Sequence, residues 1–451
     1  MYKRHCHVFE LKDQWYLFDV RSAAASMISP ETADIMLLLD PLEEECVIKG
    51  LSGKYKTVDL KTAWDELCRI GFLANQKQKS KRIMERNYDM PIPNFTFHLA
   101  HDCDLRCKYC YAEDGTYSGP RGLMTKPVAE KALDLLFSQN SETLGISFFG
   151  GEPLLNYELL KWIVSEAEKR AAAQKKYMQY IVSTNGTLLT GEVVKYLEEH
   201  NINIAISLDG PPEIHDRLRP NAFGKGSYDK IYNNIKPLIE NNKSFSARAT
   251  FCGDEIVLAK VVKHFSDLGI KSFGGGFALE PNSAFSVTEQ QLGEVKKQLL
   301  EAIDDIIANQ EHDAANTFGM IQEKVNILKG RGFAMNGCGA GERGVSVTPD
   351  GTIYPCHRLI NFPELAFGTV DGIDKTKRNK YLEGYYNRLD NCSICWAHYL
   401  CGSRCIYQSF INGKGIEELS ELSCSINKLL WEVAIYSLCK TKKHEAEERT
   451  S

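Results

Sequence analysis

Cysteine is the residue whose distribution most constrains how this chain can fold. The sequence has 15 cysteines in 451 residues. Seven of them fall into two tight groups, which are Cys103, Cys107 and Cys110, and then Cys392, Cys395, Cys401 and Cys405. Groups as tight as these are typical of metal ligands, and they are an unusual pattern for disulfides inside a cell. The spacing therefore predicts two metal-holding regions.

Charge and hydropathy exclude several classes of protein. The chain has 54 Lys and Arg against 59 Asp and Glu, a net charge of −5, which disfavours a nucleic-acid partner. No apolar run reaches the roughly 18 residues of a membrane helix, and the N-terminus lacks the apolar core of a secretion signal. We therefore expect a cytoplasmic protein that binds neither nucleic acid nor membrane. Its length predicts about two to four domains.

Residues 1–75 have the pattern of a small α/β unit. Alternating apolar and polar residues around a short turn predict a β-hairpin. A helix is predicted to begin at Pro30 with Ser29 as its N-cap, and a second helix runs from near Asp59 to around Gly71. A hairpin followed by helices predicts a winged-helix-like domain. Its excess of acidic over basic residues argues against DNA binding.

The rest of the chain divides into four segments. Residues 76–92 are polar and charged, which predicts a linker. Residues 93–310 alternate six strand candidates with amphipathic helical stretches, which predicts an α/β fold with a parallel sheet. Because six units are too few for a closed barrel of eight strands, we expect a partial (β/α)6 TIM-like barrel. Residues 311–440 are loop-rich and dense in glycine and cysteine, so a metal is expected to staple them. Residues 441–451 are charged and are expected to fray.

The first cysteine group directly follows the first predicted strand of this series. That is the end of a strand where α/β folds place their chemistry. Its spacing is C-x3-C-x2-C. Three thiolates in one loop can ligate three irons of a 4Fe–4S cluster and leave the fourth iron open. A Cys3His zinc site with His101 as the fourth ligand is the alternative.

The spacing, with Tyr109 immediately before the last cysteine, resembles the signature of the radical S-adenosylmethionine (SAM) enzymes. In that family the three cysteines hold the cluster and SAM chelates its open iron. The resemblance implies that reduction of bound SAM gives a 5′-deoxyadenosyl radical, which removes a hydrogen atom from the substrate. Cys103, Cys107 and Cys110 would then be the catalytic cluster ligands.

Further motifs follow the next strands in the order that this family has. They are the run Gly150 to Pro153, the run Ser183 to Asn185, and the run Ser207 to Gly210 followed by His215, Asp216 and Arg219. The glycines let the backbone approach a ligand, and Glu152 can accept hydrogen bonds from a ligand ammonium. Arg248 on the fifth strand could pair with the SAM carboxylate. The cofactor-binding residues that the resemblance implies are Tyr109, Gly150, Gly151, Glu152, Pro153, Ser183, Asn185, Ser207, Asp209 and Arg248.

The second cysteine region resembles the SPASM extension of radical SAM peptide maturases. Its pattern runs from Cys338 through Gly351 and Cys356 to the group at 392–405, and ends at Cys424. In that family the extension holds two auxiliary 4Fe–4S clusters, which would make three clusters in this chain. The resemblance assigns Cys392, Cys395, Cys401 and Cys424 to the distal cluster and Cys338, Cys356 and Cys405 to the nearer one. A pair of zinc knuckles is the alternative.

Seven cysteines are one fewer than two fully ligated clusters need. A water, a carboxylate or Cys439 could complete the nearer cluster. The alternative hypothesis is that a substrate thiolate binds its open iron, which would keep that thiol deprotonated. The cysteines outside the motifs are expected to be packing residues. They are Cys6, Cys46, Cys68, Cys252 and Cys439.

Placed before such a core, residues 1–75 resemble a PqqD-like element that recognises the leader of a precursor peptide. Such elements add the leader as a strand beside the hairpin and against a helix, here around residues 16–20 and 33–39. A plain stabilising cap on the barrel is the alternative for this unit.

The three modules together resemble the thioether-forming maturases of SCIFF peptides (CteB type). The resemblance implies a Cys-rich precursor peptide as substrate, a Cys sulfur-to-carbon thioether as product, and an electron donor such as flavodoxin or ferredoxin. A carbon–carbon cross-linking maturase of the PqqE type shares all three modules and stays open. A formylglycine-generating sulfatase maturase is disfavoured by the cysteine count and the N-terminal unit. A non-catalytic peptide-binding scaffold with structural zinc is the alternative of another class.

Overall fold

A computed structural model describes most of the chain. The described residues are 6–20, 22–38, 44–69, 86–308, 318–330, 338–402, 405–412 and 415–448. Most of the predicted linker at 76–92 and the predicted helix end near Gly71 lie outside them. Within the described part of the chain, no helix has both the length and the apolar character that a membrane crossing needs.

The N-terminal unit is a three-stranded antiparallel sheet followed by three helices. Its elements are β1 (Cys6–Leu11), β2 (Gln14–Asp19), β3 (Ala24–Ile28), α1 (Pro30–Leu38), α2 (Glu44–Leu51) and α3 (Thr57–Arg69), with β2 in the centre of the sheet. The predicted hairpin is confirmed, since Leu11 pairs with Gln14 across a tight turn. The predicted helix at Pro30 is also confirmed, and the Ser29 hydroxyl accepts a hydrogen bond from the Thr32 N–H at 3.2 Å. No pattern predicts β3, because it is a short edge strand with mostly exposed residues.

The body of the protein is built on one large sheet, of which six neighbouring strands are parallel. In sheet order these are β4 (Asn94–His101), β6 (Thr143–Gly150), β7 (Tyr177–Thr184), β8 (Ile202–Ser207), β9 (Ser246–Phe251) and β10 (Phe273–Phe277), and a short β5 (Gly122–Leu123) pairs antiparallel with β4. They coincide with the six predicted strands. Apolar residues such as Phe95 and Phe97 of β4 are fully buried, which explains why the sequence pattern predicts the strands. The curvature of this sheet into a partial barrel stays a prediction.

The connections between these strands confirm the alternating α/β pattern. The helices are α4 (Lys126–Phe137), α5 (Tyr157–Gln174), α6 (Gly191–Glu199), α7 (Pro212–Leu218), α8 (Tyr228–Glu240), α9 (Leu258–Asp267) and α10 (Leu292–Ala308). Because the six strands are parallel and follow one another in the chain, their carboxyl ends lie at the same edge of the sheet. The loops that follow the strands therefore meet there.

The C-terminal region joins the same sheet on its other side. Strand β11 (Gly344–Val347) pairs in parallel with β4, placing Val345 opposite Phe95. The remaining elements are β12 (Thr352–Tyr354), β13 (Gly368–Thr369) and β14 (Gly372–Ile373), with α11 (Gly319–Lys329), α12 (Lys375–Asn391), α13 (His398–Cys401), α14 (Ile406–Ile411) and α15 (Glu421–Glu448). The sequence pattern does not predict this addition, since a four-residue strand gives too short a periodic signal.

Helix α15 corrects the expectation of a loop-rich C-terminus with a frayed tail at 441–451. It is 28 residues long and continues to Glu448. Its central residues are buried on nearly every side, with Trp431, Val433, Ala434 and Ile435 fully enclosed. The stretch from Leu429 to Cys439 is apolar on most of its faces, so it lacks the one-sided period that identifies an amphipathic helix. The sequence pattern therefore misses it.

The sheet of the N-terminal unit lies between its own helices and α15. Leu17 of β2 points into the apolar cluster of α1, α2 and α3. Its neighbour Phe18 faces the opposite way, and its ring centroid lies 6.1 Å from that of Trp396. His7 stacks on Trp396 at 3.8 Å and its Nε2 atom lies 2.9 Å from Glu432 Oε1. These contacts attach the unit to the body.

We expect Phe18→Ala to loosen this attachment. The side chain is 0% exposed, and truncation of a buried Phe costs about 3–5 kcal/mol. Urea unfolding followed by tryptophan fluorescence would measure the loss. Val58→Ala on α3 is the control, because that side chain is 65% exposed and should change stability by no more than about 0.5 kcal/mol. If the two substitutions lowered stability equally, Phe18 would not be part of a buried interface.

Candidate active site

A cavity of about 200 Å³ lies where the carboxyl ends of the parallel strands meet. The loop after β4 places three cysteine side chains in its wall, and the loops after β6, β7 and β8 complete it. The predicted site residues that line the cavity are Cys103, Cys107, Tyr109, Cys110, Gly150, Gly151, Ser183, Asn185 and Ser207. Four other predicted residues are absent from the described lining, namely Glu152, Pro153, Asp209 and Arg248.

Two glycines let the loop after β6 pack directly on the backbone of the cysteine loop. The Gly151 N–H donates to the Ala100 carbonyl at 2.8 Å. A Cβ atom added at Gly151 would lie 2.1 Å from the Asp102 carbonyl oxygen, and one at Gly150 would lie 2.3 Å from that of Ala100. Gly150 also has a φ of +134°, which side-chain-bearing residues avoid. These positions fix the cysteine loop against the sheet.

Glu152 accepts hydrogen bonds from neighbouring loops of the protein, and its role as a partner for a ligand ammonium stays a prediction. Its carboxylate is fully buried and accepts three hydrogen bonds from the protein. The donors are the Leu154 N–H at 3.0 Å, the Thr184 hydroxyl at 2.8 Å and the Asn185 N–H at 2.7 Å. Burial raises the pKa of Glu152 to about 7, although these donors oppose the rise. In the structure the carboxylate therefore joins the loops after β6 and β7.

Asp209 is also held by donors of the protein, and its place at the cofactor stays a prediction. Its side chain accepts hydrogen bonds from the Arg219 Nε at 2.7 Å, the Tyr109 hydroxyl at 2.5 Å and the Thr250 N–H at 2.8 Å. The carboxylate is 1% exposed and has protein donors on both oxygens. Arg219 is the residue that reaches the cavity, where its Nη1 lies 3.8 Å from the Cys107 sulfur. The structure makes Asp209 a positioning residue for Arg219 and Tyr109.

Removing the Asp209 carboxylate should lower the stability of the protein. We expect Asp209→Ala to lose about 3–5 kcal/mol of stability, because it leaves the Arg219 guanidinium buried without its ion pair. Chemical denaturation would measure the loss. Asp267→Ala is the matched control, since its ion pair with Lys263 is exposed on α9 and exposed pairs contribute at most about 1 kcal/mol. If Asp209→Ala lost no more stability than Asp267→Ala, the buried ion pair would not stabilise the protein as expected.

Arg248 lies on β9 two positions before Thr250, which does line the cavity. Side chains two positions apart on a strand lie on the same face of the sheet, so Arg248 lies on the same face as Thr250. The Arg248 side chain is exposed. Its pairing with a SAM carboxylate stays a prediction.

The cavity also reaches the second cysteine region. Arg358, two positions after Cys356, lines it from the C-terminal side. Its guanidinium lies over the rings of Tyr111 at 4.6 Å and Tyr407 at 5.3 Å. Neither Arg358 nor Glu280, its ion-pair partner in the same wall, carries a motif that the sequence analysis could use. Only the fold brings them to the site.

The auxiliary cysteines come together in two sets. Burial, together with the nearby thiols of Cys338 and Cys405, raises the pKa of Cys356 to about 12. Burial likewise raises the pKa of Cys424, with Cys401 and Cys395 as its neighbouring thiols. In the same turn the Cys395 N–H donates to the Cys392 carbonyl at 2.9 Å. The assignment of these cysteines to a nearer and a distal cluster stays a prediction.

The cysteines outside the motifs are not all packing residues. Cys252 and Cys439 are buried, and Cys6 is half-buried. Cys439 lies on α15 beside Tyr16, where α15 meets the N-terminal unit. Cys46 and Cys68 are exposed, which corrects the expectation for them. They lie on the solvent faces of α2 and α3, whose apolar residues face each other instead.

The donor set at the first cavity fits a 4Fe–4S cluster with a small ligand beside it. Three thiols share one cavity, and N–H groups point at two of the sulfurs. The Leu105 N–H lies 3.4 Å from the Cys103 sulfur, and Asn185 Nδ2 lies 3.7 Å from it. His101, the fourth ligand of the zinc alternative, packs its ring 4.7 Å from that of Tyr117 and is absent from the described lining. Among the residues searched, no three His, Cys, Asp or Glu side chains are close enough to ligate a single metal ion, whereas the thiols of a 4Fe–4S cluster bind separate irons.

Comparison with known proteins finds a family model that matches part of the chain. Residues 98–262 match the model of the Radical SAM superfamily. The serine-type anaerobic sulfatase-maturating enzyme of Bacteroides thetaiotaomicron is 33% identical over 156 residues, which is 33% of this chain and 36% of that enzyme. The antilisterial bacteriocin subtilosin biosynthesis protein AlbA of Bacillus subtilis is 26% identical over 305 residues, or 63% of this chain and 59% of AlbA. The matches to the two sulfatase-maturating enzymes of Bacteroides thetaiotaomicron and Clostridium novyi span only 36% and 37% of their lengths.

Solved structures share the fold over more of the chain. The enzyme anSMEcpe with bound AdoMet has a TM-score of 0.66 and 18% identity, covering 78% of this chain and 95% of its own. Streptococcus suis SuiB bound to the precursor peptide SuiA has a TM-score of 0.53 and 15% identity, covering 93% of this chain and 98% of SuiB. Both likenesses concern the fold.

Proposed function

We propose that this protein, in which residues 98–262 form a radical SAM domain, installs Cys sulfur-to-carbon thioether cross-links in a Cys-rich precursor peptide. The observation that carries the proposal is the shared cavity. Its wall contains the three thiols of the cysteine loop and also Arg358, two positions from the auxiliary Cys356. A peptide held there would lie between the first cluster site and the nearer auxiliary site.

The residues of the cysteine loop and its neighbours would hold the cofactors. Cys103, Cys107 and Cys110 would ligate the first 4Fe–4S cluster, which with bound SAM supplies the radical that removes a hydrogen atom. Asn185 and Arg219 donate toward the ligand sulfurs at 3.7 and 3.8 Å. Donors to cluster sulfurs tune the reduction potential.

The nearer auxiliary set supports sulfur chemistry in particular. Cys338, Cys356 and Cys405 would ligate three irons, and Cys439 lies instead beside Tyr16. A thiolate of the substrate would complete this cluster, which would hold the sulfur near the cavity and keep it deprotonated. Cys392, Cys395, Cys401 and Cys424 would hold the distal cluster, through which an electron leaves.

The N-terminal unit would bind the leader of the peptide. The groove predicted from the sequence comprises residues 16–20 and 33–39, the last of which lies outside the described residues. Residues 16–20 lie mainly in β2, which is already paired on both edges, so no strand can be added there. Strand β3 is the better site, because it is an edge of the described sheet and its Met27 is 37% exposed. Leu37 and Leu38 at the end of α1 add exposed apolar surface. The likeness to SuiB, solved with a precursor peptide bound, supports an enzyme that takes peptides.

Leader binding can be tested with the Cys-rich peptide encoded beside this gene, labelled with a fluorophore. We expect the reconstituted enzyme to bind it, and Met27→Glu to weaken binding at least tenfold, because it places a charge at an apolar strand edge. Tyr177→Glu is the control, since that residue is 72% exposed on the body of the protein. A peptide that binds neither the enzyme nor the Met27 variant would contradict the proposal.

A formylglycine-generating sulfatase maturase is the second candidate. It is favoured by the relatives, two of which are sulfatase-maturating enzymes at 33% identity. The anSMEcpe fold, however, covers 78% of this chain, whereas the fold of SuiB covers 93%. A sulfatase peptide carrying Cys or Ser at the modified position separates the candidates. Formation of an aldehyde on that peptide would establish the second one.

A further inference from the structure

A second cavity, of about 540 Å³, lies next to the first. Its walls are the loop after β10 at residues 279–289, two residues at α14 and its end, Gln408 and Asn412, and residues 420–422 at the start of α15. Glu280 lines both cavities. The second cavity therefore continues outward from the cluster site.

Glu280 is held in place between the two cavities. Its Oε2 accepts a hydrogen bond from the Leu279 N–H at 2.9 Å, and its Oε1 lies 3.6 Å from Arg358 Nη1. Arg358 in turn is fixed over the rings of Tyr111 and Tyr407. The junction between the cavities is thus built from residues with defined positions, which a ligand passing from one cavity to the other must contact.

The charged side chains that line the second cavity are all acidic. Its described lining carries the carboxylates of Glu280, Glu289 and Glu421, and no Lys, Arg or His. The other lining residues are largely small and uncharged polar groups, such as Asn282 and Asn412. A cavity of this kind repels acidic side chains and attracts cationic ones.

One buried donor in the lining has no partner. Gln408 is 3% exposed, and its Nε2 makes no hydrogen bond within the described structure. Its own backbone carbonyl is occupied by Asn412 Nδ2 at 2.5 Å. An unsatisfied buried amide donor is unfavourable, and a peptide carbonyl is the natural acceptor for it.

We propose that the second cavity receives the segment of the peptide substrate that adjoins the modified residue, and that it selects neutral or cationic side chains over acidic ones. The inference rests on the proposed function, since it assumes a peptide whose reacting residue occupies the first cavity. Gln408 would turn its amide from this buried position to donate to the backbone of that segment. The carboxylates of Glu289 and Glu421 supply the charge selection, because Glu280 is paired with Arg358. The occupant is an extended peptide rather than a small anion.

Two synthetic probes test the selection. They are fluorescein-labelled hexapeptides, Gly-Lys-Ser-Cys-Lys-Gly and Gly-Glu-Ser-Cys-Glu-Gly, and fluorescence anisotropy with the reconstituted holoenzyme at low salt measures their binding. We expect the lysine probe to bind roughly tenfold more tightly or better, with the preference shrinking at high salt. Equal binding of the two probes, or no binding of either, would overturn the inference.

Variants assign the effect to the cavity. Glu289→Gln combined with Glu421→Gln should bring the two probes close to equal affinity, whereas Glu289→Asp should preserve most of the preference. Gln408→Met should weaken both probes by a similar factor, since it removes a backbone donor and no charge. A preference unchanged in the double variant would place the selection elsewhere and overturn the inference.

SAM cleavage separates failure of this inference from failure of the proposed function. The wild-type enzyme is reduced with dithionite without any probe, and 5′-deoxyadenosine is measured. Cleavage together with equal probe binding would leave the proposed function standing and remove the inference. Absence of cleavage would overturn both, because the inference depends on the function.

Discussion

Replacing Cys103, Cys107 and Cys110 by alanine is expected to abolish SAM cleavage and to leave leader binding unchanged. All three thiols lie in one cavity wall, so their loss removes the ligands of the first cluster. The N-terminal unit has its own apolar core around Leu17 and Leu60, so the leader site should survive. Formation of 5′-deoxyadenosine should fall to the level of a sample without enzyme, while the affinity for a labelled leader stays within about twofold of wild type.

Cys252→Ala is the control for this experiment. Cys252 is buried outside every motif and lines neither the cluster cavity nor the second one. Its loss should reduce stability modestly, by about 1 kcal/mol, and should leave iron content and SAM cleavage intact. Cleavage that survived in the triple variant would refute the assignment of the cluster ligands.

Gly151→Ala should impair cluster and SAM binding nearly as much as the triple cysteine variant, although it removes no cluster ligand. The added Cβ atom would lie 2.1 Å from the Asp102 carbonyl oxygen, which is backbone and cannot turn aside. Asp102 precedes the first cysteine of the loop, so the strain displaces the cluster ligand itself. We expect a loss of at least about 1–3 kcal/mol from overpacking, with reduced iron content and no measurable SAM binding.

A second glycine provides the matched control. Gly276 lies on β10 in the same sheet, and a Cβ atom added there meets nothing within 4 Å. Gly276→Ala should therefore retain iron and SAM binding. If Gly151→Ala retained both as fully as Gly276→Ala, the close packing of the two loops would not be needed for the site.

The sequence predicts the six central strands because each is a run of apolar residues between turn residues. It does not predict β11 or the burial of α15, since a four-residue strand and a helix that is apolar on most faces of its central stretch carry no clear periodic signal. The attachment of β11 to β4 depends on residues about 250 positions apart in the chain, such as Val345 and Phe95. Local patterns hold no information on such a contact.

The candidate site, like the fold, is predicted from the sequence only in part. Motif spacing places Cys103, Gly150 and Ser183 at strand ends, and the structure brings them to one cavity. The partners of Glu152 and Asp209 come from other loops, so the sequence could not show that protein donors already occupy these carboxylates. A sequence motif does not show whether a buried carboxylate contacts a ligand or another loop of the protein.

The central claim is tested most directly by mass spectrometry of the Cys-rich peptide encoded beside this gene. The peptide is incubated without oxygen with reconstituted enzyme, SAM and a reductant, and is then treated with a thiol alkylator. The thioether assignment predicts a product lighter by two hydrogens with one fewer alkylatable cysteine for each cross-link. A product lighter by two hydrogens in which every thiol is still alkylated would contradict it and would indicate a carbon–carbon bond or an oxidised side chain.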